Sequence, residues 1–350
     1  MTKVEHPVLQ LLTEMLSVPS PSGREEMLAD IVRGKLDEMG YDHQTDGAGN
    51  VTVRLEGHKP DQPLMMLASH MDEIGMVVTG IDSDGKLRIA RSGALFPYKM
   101  GERPVTIVGD GDPITGVASI GSTHTADAET RSITWDDVRI ITGLTPQQLY
   151  EAGIRVGSTA VPIAEERGPV VFGPTNDPLA ACWTFDDRGG VITLIRLLEA
   201  IKGHNVKPAR PTIIAFTVHE EGGCHGAKVL AQREKPEIFL AVDGCPMVPG
   251  SDLVMDARPA VWSKDQVCHY DQLLVGSLRT AAAQAGFDLQ TAVLLSAMSD
   301  ASQVYDVGGA PRVGVIGHVR ENSHGYEVAR IKAFDNLLNT LFAFIQMEDI

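Results

Sequence analysis

Residues 63–73 read Pro63-Leu-Met-Met-Leu-Ala-Ser-His70-Met-Asp72-Glu73, an uncharged run that stops abruptly at an imidazole and two carboxylates. An apolar run of this length is the mark of a strand buried on both faces, the habit of parallel sheets flanked by helices. The same form recurs downstream. Residues 211–218 run into His219-Glu220-Glu221, residues 238–242 into Asp243, and residues 312–316 into a loop bearing His324. In open α/β sheets, ligands bind outside the carboxyl ends of the strands. Four strands thus deliver His, Glu or Asp to one edge. A carboxylate pair, Asp186-Asp187, joins them ahead of Arg188-Gly-Gly and a helix.

Around these strands the pattern alternates. Helical spacing predicts helices over 25–39, 190–201, 226–232, 271–285 and 329–346, and strands over 50–55 and 291–296. In the first helix Met27, Leu28, Ile31, Val32, Leu36 and Met39 share a face and read as core. Ser22 and Glu25 have capping-box spacing, and Gly40 supplies a left-handed stop. Residues 75–162 differ in texture. Short β-like runs at 76–78, 87–90, 105–108 and 114–120 are separated by Gly, Asp and Pro, and the helical exception is 145–152, where Thr145 and Pro146 suit the cap and first turn. The expected fold is α/β: a mixed, mostly parallel sheet covered by helices, with a small all-β barrel or sandwich inserted at 75–162.

The composition limits the function classes. The chain has 350 residues, 43 % hydrophobic and 22 % charged, and its 30 Lys and Arg against 46 Asp and Glu leave a net charge of −16. Such a balance excludes disorder and disfavours nucleic acid, whose phosphates an acidic surface repels. Cys182, Cys224, Cys245 and Cys268 form no C-x-x-C pair, and four cysteines in a chain this long do not make a disulfide framework. Glu5 and Glu14 stand where a signal peptide needs unbroken apolar residues, and no window is apolar for 18 residues. A cytoplasmic protein without a membrane partner is expected.

A lone Asp after a strand is ordinarily a turn former, a lone His an ordinary surface or core residue, and Glu-Glu at a helix start a favourable use of the dipole. Their coincidence at one edge is what counts. Crowded anions are costly unless cations share the site. Imidazoles and carboxylates without thiolates suit zinc, cobalt or manganese. Two ions need a bridging carboxylate and terminal ligands for each. One such count is available: Asp186 bridging, His70 and Asp243 on one ion, and Glu221 and His324 on the other. Glu220 is then left free to move a proton, and Asp72 is placed to orient His70.

Ser22-Gly23-Arg24-Glu25, Ala68-Ser69-His70-Met71-Asp72-Glu73-Ile74-Gly75, Phe185-Asp186-Asp187-Arg188, Glu220-Glu221, Gly226-Ala227, Asp243, Ser299-Asp300-Ala301 and His324 follow one another across nearly the whole chain. In this order they resemble the tetrahedral-shell and glutamyl aminopeptidases, metallopeptidase family forty-two. The resemblance implies a zinc-peptidase-like catalytic domain over 1–74 and 163–350, with 75–162 inserted for assembly and substrate access. It implies the same five ligands, Glu220 as general base, and two divalent ions per subunit, zinc first. The implied activity is removal of the N-terminal residue from short peptides by a homo-oligomer, up to a dodecameric shell. A dinuclear deacylase or amidohydrolase acting on a peptide-like metabolite would use the same ligands, and a non-catalytic metal-binding shell is the third reading. Two stretches depart from the family pattern: Gly222-Gly223-Cys224-His225 after the Glu pair, and Arg320-Glu-Asn-Ser-His324-Gly-Tyr-Glu327 around the last ligand. With His219, these bear on pocket shape.

Overall fold

Alternation along the buried strands sends successive side chains to opposite faces of one sheet. Met65 and Leu67 join one core cluster and Met66 and Ala68 another; Ile214 and Phe216 part from Ile213 and Ala215 in the same way. The structure, a computed structural model, describes residues 6–124 and 130–350. Residues 1–5, which include the Glu5 read above, and 125–129 of the β-rich span lie outside that description.

The sheet has eight strands, in the order His43–Thr45, Val51–Leu55, Thr212–Thr217, Met65–His70, Ile238–Val242, Arg312–Gly317, Ala260–Lys264, Gln290–Val293. The four central strands are mutually parallel, as their apolar runs require, and antiparallel pairing is confined to the flanks. One face packs on helices Pro7–Leu16, Glu26–Met39, Phe185–Gly203, Gln272–Gln284 and Ile331–Phe344. His225–Glu234 and Asp300–Asp306 cover the other. Each fully buried aliphatic side chain in these layers contributes about 1.5–3 kcal/mol of transfer free energy.

Within 75–162, strands Gly75–Ile81, Leu87–Ser92, Arg139–Ile141, Ile114–Ser119, Arg103–Val108 and Thr159–Pro162 close into a barrel around Met76, Val78, Leu87, Val105, Ile107 and Ile140. Closure removes the exposed edges that short antiparallel strands would otherwise present. Helix Pro146–Glu151 starts on a capping box between Thr145 and Gln148. Trp183 packs into the barrel core while its indole N–H donates to Glu73 (3.1 Å), a fully buried carboxylate that also meets Arg167 (3.2 Å) and Arg188 (3.1 Å). This knot joins the barrel to the large sheet. Among the described residues no helix is long and apolar enough to cross a membrane.

Several local expectations need correction. Ser22 and Glu25 make no capping box. Helix Glu26–Met39 lacks a side-chain cap, because Ser22 Oγ donates to Asp72 (2.6 Å) and Glu25 accepts from the Gly23 and His219 N–H groups instead. Gly40 does stop the helix, at φ +68. The closing helix begins at Ile331, since Tyr326–Arg330 is a strand. Helix Pro7–Leu16 and a second sheet went unforeseen. That sheet has five strands, in the order Val170–Phe172, Leu179–Trp183, Tyr326–Arg330, Val319–Glu321, Cys245–Pro246.

Candidate metal centre

His70 is the last residue of its strand, and Asp243 follows directly on Ile238–Val242. Glu220 and Glu221 lie in the turn after Thr217, with their N–H groups donating to the two oxygens of the buried Asp72 carboxylate (2.8 and 3.0 Å). Asp186 and Asp187 occupy a non-helical break at the head of Phe185–Gly203. His324 does not come straight from the Arg312–Gly317 strand. It sits at φ +59 in the hairpin between Val319–Glu321 and Tyr326–Arg330, so the second sheet carries it to the edge.

These residues converge. His70 Nδ1 donates to the Asp72 main-chain carbonyl (3.0 Å), which leaves Nε2 facing Asp186 Oδ1 at 3.1 Å. Asp186 Oδ2 faces the other way, 3.3 Å from His324 Nε2, which is itself 3.4 Å from Glu221 Oε1. One carboxylate thus turns an oxygen to each of two imidazole-centred groups. His70, Asp187 and Asp243 offer donor atoms within 4.8 Å of one another, as do Asp186, Glu221 and His324, and also Glu220, Cys224 and Asp300. Asp187 is held by other work: its carboxylate accepts from Ser69 Oγ (2.5 Å) and from the Gly190 N–H (3.0 Å) at the helix start.

The donor set fits divalent ions. Tetrahedral bonds of about 2.0–2.1 Å place ligand atoms about 3.3 Å apart, the spacing found around Asp186 and His324. Glu221 Oε1 is buried and receives no hydrogen bond. Burial, with Asp186 and other carboxylates nearby, pushes Asp243 up to about 7; burial likewise pushes Glu221 up to about 7. Burial also lifts Glu220 well above the carboxylate range. Although burial opposes it, Glu221 and Asp186 raise His324 to about 9. Burial is the larger cause of the carboxylate shifts and crowding by like charges adds to it, and a bound cation would offset both.

Two neighbours give no such signal in the sequence. Arg320, buried, pairs with Asp186 through Nη2, with Glu327 through Nε (3.1 Å) and more distantly with Asp243 (3.7 Å). Glu327 accepts from the main-chain N–H groups of Asp186 and His324 (2.9 Å each), so one side chain holds both sides of the centre in register. They stand four residues before and three after His324 in a polar stretch that reads as a surface loop.

The centre opens into a cavity of about 1330 Å³, with Asp186, Glu220, Glu221, Asp243 and His324 in its lining. Phe96 and Lys99 reach its rim from the barrel side. His219, Cys224 and His225 are absent from that lining.

The M42 glutamyl aminopeptidase family matches residues 49–339. The Escherichia coli protein SgcX is 30 % identical over 249 residues, 70 % of this chain and 65 % of SgcX. The glutamyl aminopeptidase of Lactococcus lactis is 27 % identical over 251 residues, 68 % of this chain and 66 % of that enzyme. The match therefore spans just under two thirds of either relative. A solved structure of the Pyrococcus horikoshii TET1 peptidase, described as assembling into a tetrahedron or a large octahedral shell, superposes with a TM-score of 0.84 at 24 % identity, covering 97 % of this chain and 99 % of that one. With its motifs in order, its strand ends converging and most of its length matched, the chain belongs to the M42 glutamyl aminopeptidase family.

Proposed function

We propose that this chain is a dinuclear-metal aminopeptidase acting on short peptides. The observation that carries the reading is the division of Asp186 between two imidazole-centred groups while Glu220, beside them, belongs to neither. In this reading His70 and Asp243 would hold one ion, Glu221 and His324 the other, and Asp186 would serve both. Zinc suits the donor set best, with cobalt or manganese as substitutes. Bound ions supply a water acidic near neutral pH and an electrophile for the scissile carbonyl.

The rest of the chemistry belongs to the chain. Glu220 Oε2 faces the centre, 4.0 Å from His70 Nε2, where it takes a proton from the attacking water and delivers it to the leaving amine. Burial supports that role by raising its proton affinity. Asp72 fixes the main chain of Glu220 and Glu221, and its carbonyl fixes the His70 ring. The surrounding carboxylates favour a cationic α-amine, which selects free N-termini. Arg320 holds the rear of Asp186 and keeps the bridging carboxylate ionised.

We further propose that residues 1–74 and 163–350 form the catalytic domain, and that 75–162 is an inserted domain for assembly and substrate access. Every proposed ligand lies outside that span. The four buried free cysteines accord with the cytoplasm, and the TET1 shells support a homo-oligomer, with a dodecamer as the expected form. The deciding experiment is a panel of aminoacyl chromogenic substrates, each beside its N-acetylated counterpart, assayed before and after chelation. Free-amine substrates should turn over, and chelator should stop them. Chromophore release from the acetylated compounds alone would mark an amidohydrolase that does not use a free α-amine. Loss of acetate from them with the chromophore still attached would mark a deacylase.

A further inference from the structure

The two oxygens of Glu220 face opposite ways. Oε2 looks toward His70 and the ligand cluster, and Oε1 points back to Cys224 Sγ at 3.4 Å. Among the described residues, that thiol is the hydrogen-bond donor to this carboxylate. Its Sγ also lies 3.6 Å from the Glu220 main-chain oxygen, and the Cys224 N–H donates to the same oxygen (2.9 Å), so side chain and backbone grip Glu220 together. Cys224 is 1 % exposed and outside the cavity lining, which denies it contact with substrate. It stands at φ +58, where glycine would be the unstrained choice. On its far side is Asp300, a buried carboxylate whose Oδ2 is held by Thr217 (2.7 Å). The thiol thus has both acids within 4.8 Å, with Asp300 as a second acceptor in reach of its one proton. Burial and the neighbouring carboxylates keep it protonated, so it is a donor and not a nucleophile.

We propose that Cys224 is a positioning residue for Glu220: its S–H holds Oε1 and so aims Oε2 at the reacting centre. The role rests on Glu220 being the proton-transfer group, and it assigns a purpose to the unusual Gly222-Gly223-Cys224 turn. A carboxylate released from this donor would rotate about its last torsion and drift toward the ligands.

The test is a double-mutant cycle on the purified, metal-loaded enzyme with a free-amine substrate. Cys224→Ala should lower kcat about tenfold, the worth of one hydrogen bond to a charged group, with KM and metal content unchanged. Cys224→Ser, which restores a donor, should recover part of that loss. In a Glu220→Gln background, itself lowered about 10²–10⁴-fold, Cys224→Ala should cost nothing further. An additive loss would mark a merely structural cysteine, and a wild-type kcat in Cys224→Ala would overturn the proposal outright. Full activity of Glu220→Gln would refute the general-base reading and this inference together, while an inactive Glu220→Gln beside an unimpaired Cys224→Ala overturns the thiol's role alone.

Discussion

On the proposed reading, Asp186 is the residue on which both halves of the site depend. Its oxygens are 3.1 and 3.3 Å from two imidazoles on different sheets, and a buried guanidinium backs one of them. Asp186→Asn keeps the shape but removes a charge and gives one ligand position a nitrogen that donates. The variant should fold, since Glu327 would still hold its main chain, yet lose at least one ion. Metal analysis after gel filtration checks this, and two ions at wild-type affinity would remove the bridging role. The proposed ligands at strand ends stand out in the sequence because an abrupt polar residue follows each largely apolar run. Arg320 and Glu327 bound the quoted stretch around His324, but their buried pairing was not legible. Their burial depends on pairing with each other across a hairpin, and a pattern of hydropathy cannot tell a buried ion pair from two solvated charges.

The elements show the same division. The four parallel strands were readable, being buried on both faces, whereas the second sheet is assembled from strands of two to five residues far apart in sequence, too short for any period to register. Helix Pro7–Leu16 caps on the His6 ring instead of a Ser, Thr, Asp or Asn, which hides its start. The start of Phe185–Gly203 is set by close approach. A Cβ on Gly190 would lie 2.1 Å from the Val242 carbonyl oxygen, 2.3 Å from Asp187 Oδ2 and 2.5 Å from Ser69 Oγ. Gly190→Ala should therefore push the helix off the two strands carrying His70 and Asp243. The expected cost is about 1–3 kcal/mol of overpacking, which outweighs up to about 1 kcal/mol of helix propensity. Gly276→Ala is the control, exposed in the Gln272–Gln284 helix with nothing within 4 Å of the added carbon, and should stabilise by up to about 1 kcal/mol. Denaturant titration of both variants, with metal content alongside, separates the two. Equal stability of the pair would mean that close packing at Gly190 does not set the helix's position.

At the scale of the whole molecule the question is why a chain with an ample core would assemble at all. Its net charge of −16 favours solubility as a single subunit, so no demand for assembly comes from the core. On the proposed reading a hydrolytic centre open to many peptides would supply one, because a shell with inward-facing sites would admit short unfolded peptides and shut out folded proteins. The same charge shapes what enters. With ions bound the carboxylates of the centre would be largely neutralised, and Lys99 lines the same cavity, so an acidic peptide meets repulsion chiefly on approach to the acidic chain. Acidic peptides should then be poorer substrates than neutral ones of equal length at low salt. Raising ionic strength toward 0.15 M, where the screening length is about 8 Å, should narrow the gap. The effect belongs in kcat/KM, because the repulsion acts before chemistry. Light scattering on active fractions decides the assembly, where a single-chain mass of 37.6 kDa would refute the shell. A ratio of acidic to neutral cleavage that stays constant with salt would refute the electrostatic account and leave the shell standing, since a closed wall excludes by size whatever its charge.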